Sequence, residues 1–217
     1  MDLNRLFRWL LFLIGIFIFS GGIALTVNMQ HLGVHPWDVL NVAMFDRFGF
    51  TVGTWNIIIS FILIGICFIL DRSYIKVGTF LNALLVGSFV DFYHWTGILP
   101  TATDSWPDIL FMLIGICIMG FGGGVYNAAG IGSGPRDGFM LSLADKFAAP
   151  IGRVRIITEC SVLVLGLIIS GPVFIFTFVF TFIQSPIFQA TYLKFGKFVL
   201  KITYKQQRKE NKTEASS

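Results

Sequence analysis

The sequence is poor in charge, because only 13% of its 217 residues are Asp, Glu, Lys or Arg, whereas soluble domains carry about 25%. It has only three cysteines and seven prolines. This composition excludes a disordered chain, a nucleic-acid-binding module and a secreted disulfide scaffold. Apolar residues are abundant instead: 55% are hydrophobic and 24 are Phe. The balance indicates a polytopic membrane protein.

Residues that could form a catalytic or metal centre are also scarce. The three cysteines lie in apolar runs without metal or redox spacing, so we expect them to be small apolar side chains. His31 and His35 lie four residues apart near Asp38, but no second ligand set accompanies them. No Ser–His–Asp grouping, phosphate loop or dinucleotide fingerprint is found. We therefore expect no enzyme activity, no cofactor and no metal.

Hydrophobic runs predict the fold class. Stretches of about 20 apolar residues cross a membrane as helices, and they place six predicted spans at residues 7–28, 52–70, 77–95, 109–127, 154–170 and 173–192. The first run is too long for a signal peptide and has no small-x-small cleavage site after it, so it is expected to be a retained span. The expected fold is all-α.

The distribution of basic residues predicts the orientation. With both termini in the cytoplasm, fifteen of the sixteen Lys and Arg residues fall in inside segments, and only Arg47 lies outside. Seven of the sixteen lie between Lys194 and Lys212. We expect the basic tail at 196–217 to lie on the cytoplasmic face against anionic membrane lipids.

The chain contains an internal repeat. Residues 28–58 align without gaps on residues 127–157, at a constant offset of 99, and nine of the 31 pairs are identical. Ordinary residue usage gives about two, and most of the matches are Asn, Gly, Pro or Asp. Each half, 1–100 and 101–195, has three predicted spans, and an odd number inverts the second copy. An inverted-topology repeat is typical of many secondary transporters.

Each half starts a short helix with a proline, Pro36 or Pro135. Proline suits the first helical position, which places Asp38 and Asp137 at the third. A carboxylate there caps free N–H groups and favours the helix dipole, and this is the simpler interpretation. Alternatively, the two helices are re-entrant or interfacial and converge near the midplane, where their N–H groups would bind an anion or a polar solute.

Six further residues complete the expected substrate-binding set, with Asp38 and Asp137: Asp91, Arg136, Arg155, Glu159, Asn28 and Asn127. Charged residues at membrane depth are costly and mark candidate pathways. Simpler roles stay open. Arg136 could pair with Asp137 or Glu159, or reach the cytoplasmic surface. Arg155 and Glu159 are four residues apart and could pair with each other. The asparagines could form hydrogen bonds between helices.

The sequence resembles the YczE/YyaS/YitT group of bacterial integral membrane proteins, and most of all the YczE branch. The resemblance covers nearly the whole chain before the basic tail. Its matching elements are PWDVL at 36–40, TVGTW at 51–55, GTFLNAL at 78–84, GSGPRDG at 132–138, and Arg155 followed by Glu159. It implies a multi-pass protein of the bacterial cytoplasmic membrane. It implies little about function, because members of the group are generally described as uncharacterised.

The leading functional prediction is a small transporter or permease for a small polar or anionic solute, acting alone or as a homodimer. The alternative is a non-transporting membrane accessory protein that supports another protein or complex. A third class, an intramembrane enzyme, requires a titratable pair that faces a lipid-accessible cleft.

Overall fold

The computed structural model describes residues 3–72, 75–149 and 151–214, and their side chains except those of 3–4, 141, 151–152, 155, 181 and 204–214. The described residues form helices and short connections without a β-strand, so the predicted all-α class is confirmed. The α-helices are α1 Leu3–Asn28, α2 Pro36–Phe48, α3 Val52–Leu70, α4 Val77–Thr96, α5 Trp106–Ala128, α6 Pro135–Lys146, α7 Ile151–Ile168 and α8 Ile175–Glu214.

Each of the six predicted spans lies in a helix of its own, namely α1, α3, α4, α5, α7 or α8. Within the described part of the chain, three helices contain a stretch that is long and apolar enough to cross a membrane: Arg5–Asn28, Val52–Leu70 and Trp106–Ala128. Helix α7 contributes a shorter apolar stretch, Ile156–Ile168. Stretches of this length and composition are typical of a membrane protein.

Helices α1 and α5 form the centre of the bundle and run antiparallel. Gly15 of α1 faces Tyr126 of α5, and Thr26 faces Gly115, so ascending residue numbers in α1 meet descending numbers in α5. The backbones nearly touch, because a Cβ on Gly15 would lie 2.5 Å from the backbone nitrogen of Tyr126. Small residues allow this close approach of helices in membranes.

The outer helices hold the two short Pro-led helices, α2 and α6. Helix α4 packs on α1, and α8 packs on α5, whereas α2 packs on α7 and α6 packs on α3. The loops before α2 and α6 also touch outer helices. Gly33, with φ of 115°, faces Thr177 near the start of α8, and Gly132 faces Gly78 near the start of α4. A Cβ on either loop glycine would lie within 2.8 Å of a backbone nitrogen.

Helix α8 is the longest element and extends beyond its predicted span. It runs without interruption from Ile175 to Glu214, 40 residues, with Pro186 inside it. At 1.5 Å per residue it is about 60 Å long, roughly twice the thickness of the hydrocarbon core. The segment predicted as a separate tail from residue 196 is therefore helical up to residue 214. The Phe198 ring packs edge-on against Phe7, 5.8 Å away, which brings α8 to the N-terminal part of α1.

Candidate functional site

A small cavity lies where helices α2 and α6 begin. It measures about 60 Å³, and since one water needs at least about 10–15 Å³, it has room for a few waters. The short helices contribute His35, Trp37, Gly134, Pro135, Arg136 and Asp137 to its wall. The longer helices add the polar residues Asn56, Ser60, Asn82, Tyr126, Glu159 and Gln184.

The two helix starts are capped differently. The Nδ1 atom of His35 accepts a hydrogen bond from the Trp37 backbone, 3.4 Å away, at the start of α2. Helix α6 begins after Gly134, which has no side chain to cap the helix. A Cβ on Gly134 would lie 3.0 Å from the hydroxyl oxygen of Tyr126. The glycine therefore leaves the N-terminus of α6 open towards the cavity.

A buried ion pair joins the two short helices. Arg136 donates from Nη2 to Oδ1 of Asp38 at 3.1 Å. The Asp38 side chain is 0% exposed, and that of Arg136 is 16% exposed. Asn41 donates to the same carboxylate oxygen at 3.2 Å, and the guanidinium carbon lies 5.5 Å from the centre of the Trp37 ring. Arg136 thus bonds a residue of the other half, rather than Asp137 or Glu159, the two partners weighed from the sequence.

Two hydrogen-bond donors in the cavity wall have no acceptor among the described residues. They are Nε1 of Trp37 and Nδ2 of Asn82, both in side chains that are almost fully buried. An unsatisfied buried polar group costs about 1–3 kcal/mol. A water or a solute with oxygen atoms in the cavity would supply an acceptor to these two donors.

The cavity also holds two of the predicted acidic residues. Asp137 is half-buried and Glu159 is buried, and both line the wall. The predicted ion pair of Glu159 with Arg155 stays a prediction, because the Arg155 side chain lies outside the described residues. Of the predicted set, Arg136, Asp137 and Glu159 thus meet in the wall, with Asp38 directly beside it.

Three other predicted residues lie away from the cavity, where they hold ends of helices. Asp91 of α4 accepts hydrogen bonds from the Thr51 hydroxyl at 2.6 Å and the Gly53 nitrogen at 3.0 Å, at the start of α3. Asn28 donates to the Pro100 carbonyl at 3.0 Å. Asn127 donates to the carbonyl of Gly123, one turn earlier in α5, at 2.9 Å. The Asn28 contact joins the end of α1 to a loop, and the Asn127 contact lies within α5, so neither is the hydrogen bond between helices that was weighed from the sequence.

Some cavity residues were not identified from the sequence. Asn56 and Ser60 lie four residues apart in the apolar helix α3, and both are buried. That spacing places them on one helix face. Two polar residues on one face of an apolar helix were therefore the feature of the sequence that could have identified them. Trp37 and Tyr126 carried no such signal, because aromatic residues are common throughout this chain.

The two histidines weighed for a metal site do not meet in the described structure. His35 caps α2, whereas His31 lies 3.3 Å from Oδ2 of Asp108 and 3.8 Å from Oδ1 of Asp104. These three side chains are close enough together to share an ion. However, the Asp108 oxygens already accept hydrogen bonds from Thr103 and from the Asp104 backbone. The arrangement fastens the loop before α5 to the end of α1.

Comparisons with known proteins identify relatives without an assigned function. A family model described as a family of unknown function, DUF6198, matches residues 6–193. The chain is 35% identical over 166 residues to the uncharacterised membrane protein YczE of Bacillus subtilis, and the alignment covers 76% of each chain. It is 30% identical to YyaS of the same organism, over 76% of this chain and 83% of that one. An uncharacterised protein of Haemophilus influenzae is 32% identical over 71% and 69% of the two chains. No solved structure matches.

Proposed function

The chain belongs to the DUF6198 family and is similar to an uncharacterised membrane protein, and from its own cavity we propose that it is a small transporter or permease for a small polar or anionic solute. The observation that carries this proposal is the pair of unsatisfied donors, Trp37 Nε1 and Asn82 Nδ2, in the wall of a cavity that polar and apolar side chains line together. That cavity lies where two Pro-led helices begin, as in transporters whose broken helices bind substrate. The proposed role requires no catalytic group.

The proposal includes six spans in two inverted three-span halves. Antiparallel packing of α1 and α5, the first helix of each half, supports the inversion. The contact of Gly33 with Thr177 and that of Gly132 with Gly78 are also equivalent when shifted by 99 residues. The packing of the short helices is also equivalent in the two halves, because each packs on a helix of the other half: α2 packs on α7, and α6 packs on α3.

Contacts between aligned residues also support the two halves. If a two-fold axis relates the two halves, a residue near that axis is expected to contact the equivalent residue of the other half, 99 positions away in the sequence. The Arg136 guanidinium lies over the ring of Trp37, its counterpart 99 positions earlier. One small apolar cluster includes the aligned pair Leu40 and Phe139, and also Leu63 and Val162, which are 99 positions apart just beyond the aligned segment.

The proposed topology has a direct test. Ser142 of α6 lies 3.9 Å from Cys67 near the end of α3, whereas α2 ends just before α3 begins. The two short helices thus end near opposite ends of α3. Single cysteines in place of Asp46 and Asp145, both exposed, are expected to react with an impermeant maleimide from opposite faces of intact cells, in a chain whose native cysteines are replaced.

A cysteine in place of Arg72, another exposed residue, is the control, because it is predicted to lie on the same face as position 145. Labelling of positions 46 and 145 from one face would contradict the inverted halves and the transporter proposal with them.

Size and charge restrict the proposed solute. The cavity admits a solute about as large as a few waters. Asp38 already neutralises Arg136, and Asp137 adds a carboxylate to the wall. That carboxylate repels a bare anion, whereas a neutral molecule meets no such repulsion. We propose that a neutral polar solute binds in preference to a bare anion.

Binding is tested by the thermal stability of the purified protein with a panel of chloride, nitrate, formate, acetate, urea and small amino acids, at acidic and at neutral pH. A solute at about 100 times its dissociation constant is expected to stabilise the protein by roughly 2.7 kcal/mol.

Trp37→Phe removes the unpaired N–H and keeps most of the ring. It is expected to weaken binding by about 2- to 13-fold, since one net hydrogen bond contributes about 0.5–1.5 kcal/mol.

Trp55→Phe is the matched control, because the Trp55 indole donates to the Gly49 carbonyl at 2.8 Å, at an exposed helix end. Equal effects of the two variants would refute the assignment of the Trp37 donor. A panel in which no solute stabilises the protein would refute the transporter proposal and favour the accessory role.

A further inference from the structure

A second concave site lies at the end of the bundle where α1 begins. We call it the basic groove; it is open, measures about 590 Å³, and is separate from the cavity. Helix α1 contributes Arg5, Arg8 and Trp9, the segment that starts α4 contributes Ile75, Lys76 and Val77, and the segment after α5 contributes Gly130 and Ile131. Three cations thus line the groove, and among its described lining residues there is no carboxylate.

One of the three cations of the basic groove, Arg8, is held in place by a hydrogen bond. Arg8 donates from Nε to the Ala129 carbonyl at 2.8 Å, which leaves its terminal nitrogens available to a ligand. Gly130 has φ of 68°, and a Cβ there would lie 2.6 Å from Nη2 of Arg8. The glycine therefore provides the space in which the guanidinium lies. Arg5 and Lys76 are exposed beside it.

The position of the groove indicates which anion it binds. It lies at the ends of α1, α4 and α5, and two of these helices contain membrane-crossing stretches. Trp9, half-buried in the wall, is of the residue type that is enriched at the level of lipid headgroups. Like charges held together repel each other unless an anion lies between them. Basic pockets between membrane helices bind anionic headgroups in this way.

We propose that the basic groove binds the phosphodiester headgroup of an anionic phospholipid. This inference goes beyond the proposed transport function and is independent of it. The groove also differs from the cationic face of α8, where Lys194, Lys197 and Lys201 line a separate groove with Phe195 and Phe198. That second group of cations provides a matched control.

The test measures lipid binding to the full chain in a neutral detergent by native mass spectrometry, with phosphatidylglycerol or phosphatidylcholine added. The parent is expected to bind phosphatidylglycerol in preference. Each basic residue near a membrane surface contributes about fivefold in affinity, so Arg5→Gln/Lys76→Gln is expected to raise the dissociation constant roughly 25-fold. Lys194→Gln/Lys197→Gln, with the same change in charge, is expected to leave binding at the groove unchanged.

Three results would overturn the inference: equal binding of the two lipids, an equal loss in both double variants, or displacement of the lipid by millimolar inorganic phosphate. The last would identify a site for soluble phosphate instead. The unliganded melting temperature of each variant confirms folding. If Arg5→Gln/Lys76→Gln does not fold, Arg5→Gln alone replaces it, with an expected rise of about fivefold.

Discussion

Replacing Asp38 by alanine is expected to destabilise the folded protein by about 3–5 kcal/mol. The carboxylate has no solvent exposure and accepts hydrogen bonds from Arg136 and Asn41. Its removal leaves a largely buried guanidinium without its counter-ion, and an uncompensated buried charge is costly. The measurement is the free energy of unfolding in detergent, from titration with a denaturing surfactant.

Asp46→Ala is the matched control, because Asp46 lies at the exposed end of the same helix. It is expected to change stability by no more than about 0.5 kcal/mol.

The double variant Asp38→Asn/Arg136→Gln removes both charges and keeps two polar side chains that can bond each other. It is expected to recover about half of the loss, since replacing a whole buried pair is far less damaging than breaking it. A loss no larger for Asp38→Ala than for Asp46→Ala would contradict the buried pair.

Gly122→Leu is expected to prevent stable folding of the helix bundle. A Cβ at Gly122 would lie 2.5 Å from the backbone nitrogen of Phe19 and 2.9 Å from the carbonyl oxygen of Gly15. Both atoms belong to the α1 backbone, so the clash is relieved only if α1 and α5 move apart. Overpacking a core costs about 1–3 kcal/mol even where side chains can adjust, and here they cannot.

Gly65→Leu is the control for added bulk within a membrane helix, because Gly65 of α3 has nothing within 4 Å of its Cβ position. We expect this variant to elute as a single species in size-exclusion chromatography and to melt near the parent temperature, while Gly122→Leu aggregates. Gly122→Ala should give an intermediate melting temperature. Similar behaviour of the two leucine variants would refute the close approach of α1 and α5.

The sequence predicted the positions of the helices well, because apolar runs and Pro-led starts are local signals. It did not predict the partner of Arg136. Nearness in the sequence offered Asp137, the next residue, and Glu159 of the following predicted span, whereas Asp38 lies 98 residues away and becomes a neighbour only when α2 and α6 meet. The internal repeat contained this information. If a two-fold axis relates the two halves and passes close to α2 and α6, residues that are 99 positions apart lie near each other.

Polar residues near helix ends were harder to assign. Sequence shows that Asp91 lies late in an apolar helix, but not whether it faces a cavity or the start of a neighbouring helix. In the structure it bonds Gly53 and Thr51 of the neighbouring segment.

The length of α8 was missed for a different reason. The apolar run ends near residue 192, yet Phe195 and Phe198 continue a helical pattern, in which Phe195 packs on α5 and Phe198 packs on α1.

The 98 residues that separate Asp38 from Arg136 also affect biosynthesis. At about 5–20 residues per second, the ribosome makes Arg136 roughly 5–20 s after Asp38. During that interval α2 has an aspartate that no arginine neutralises, and α7, on which α2 packs, does not yet exist. Asp38 is therefore expected to reach its buried position only after the second half emerges.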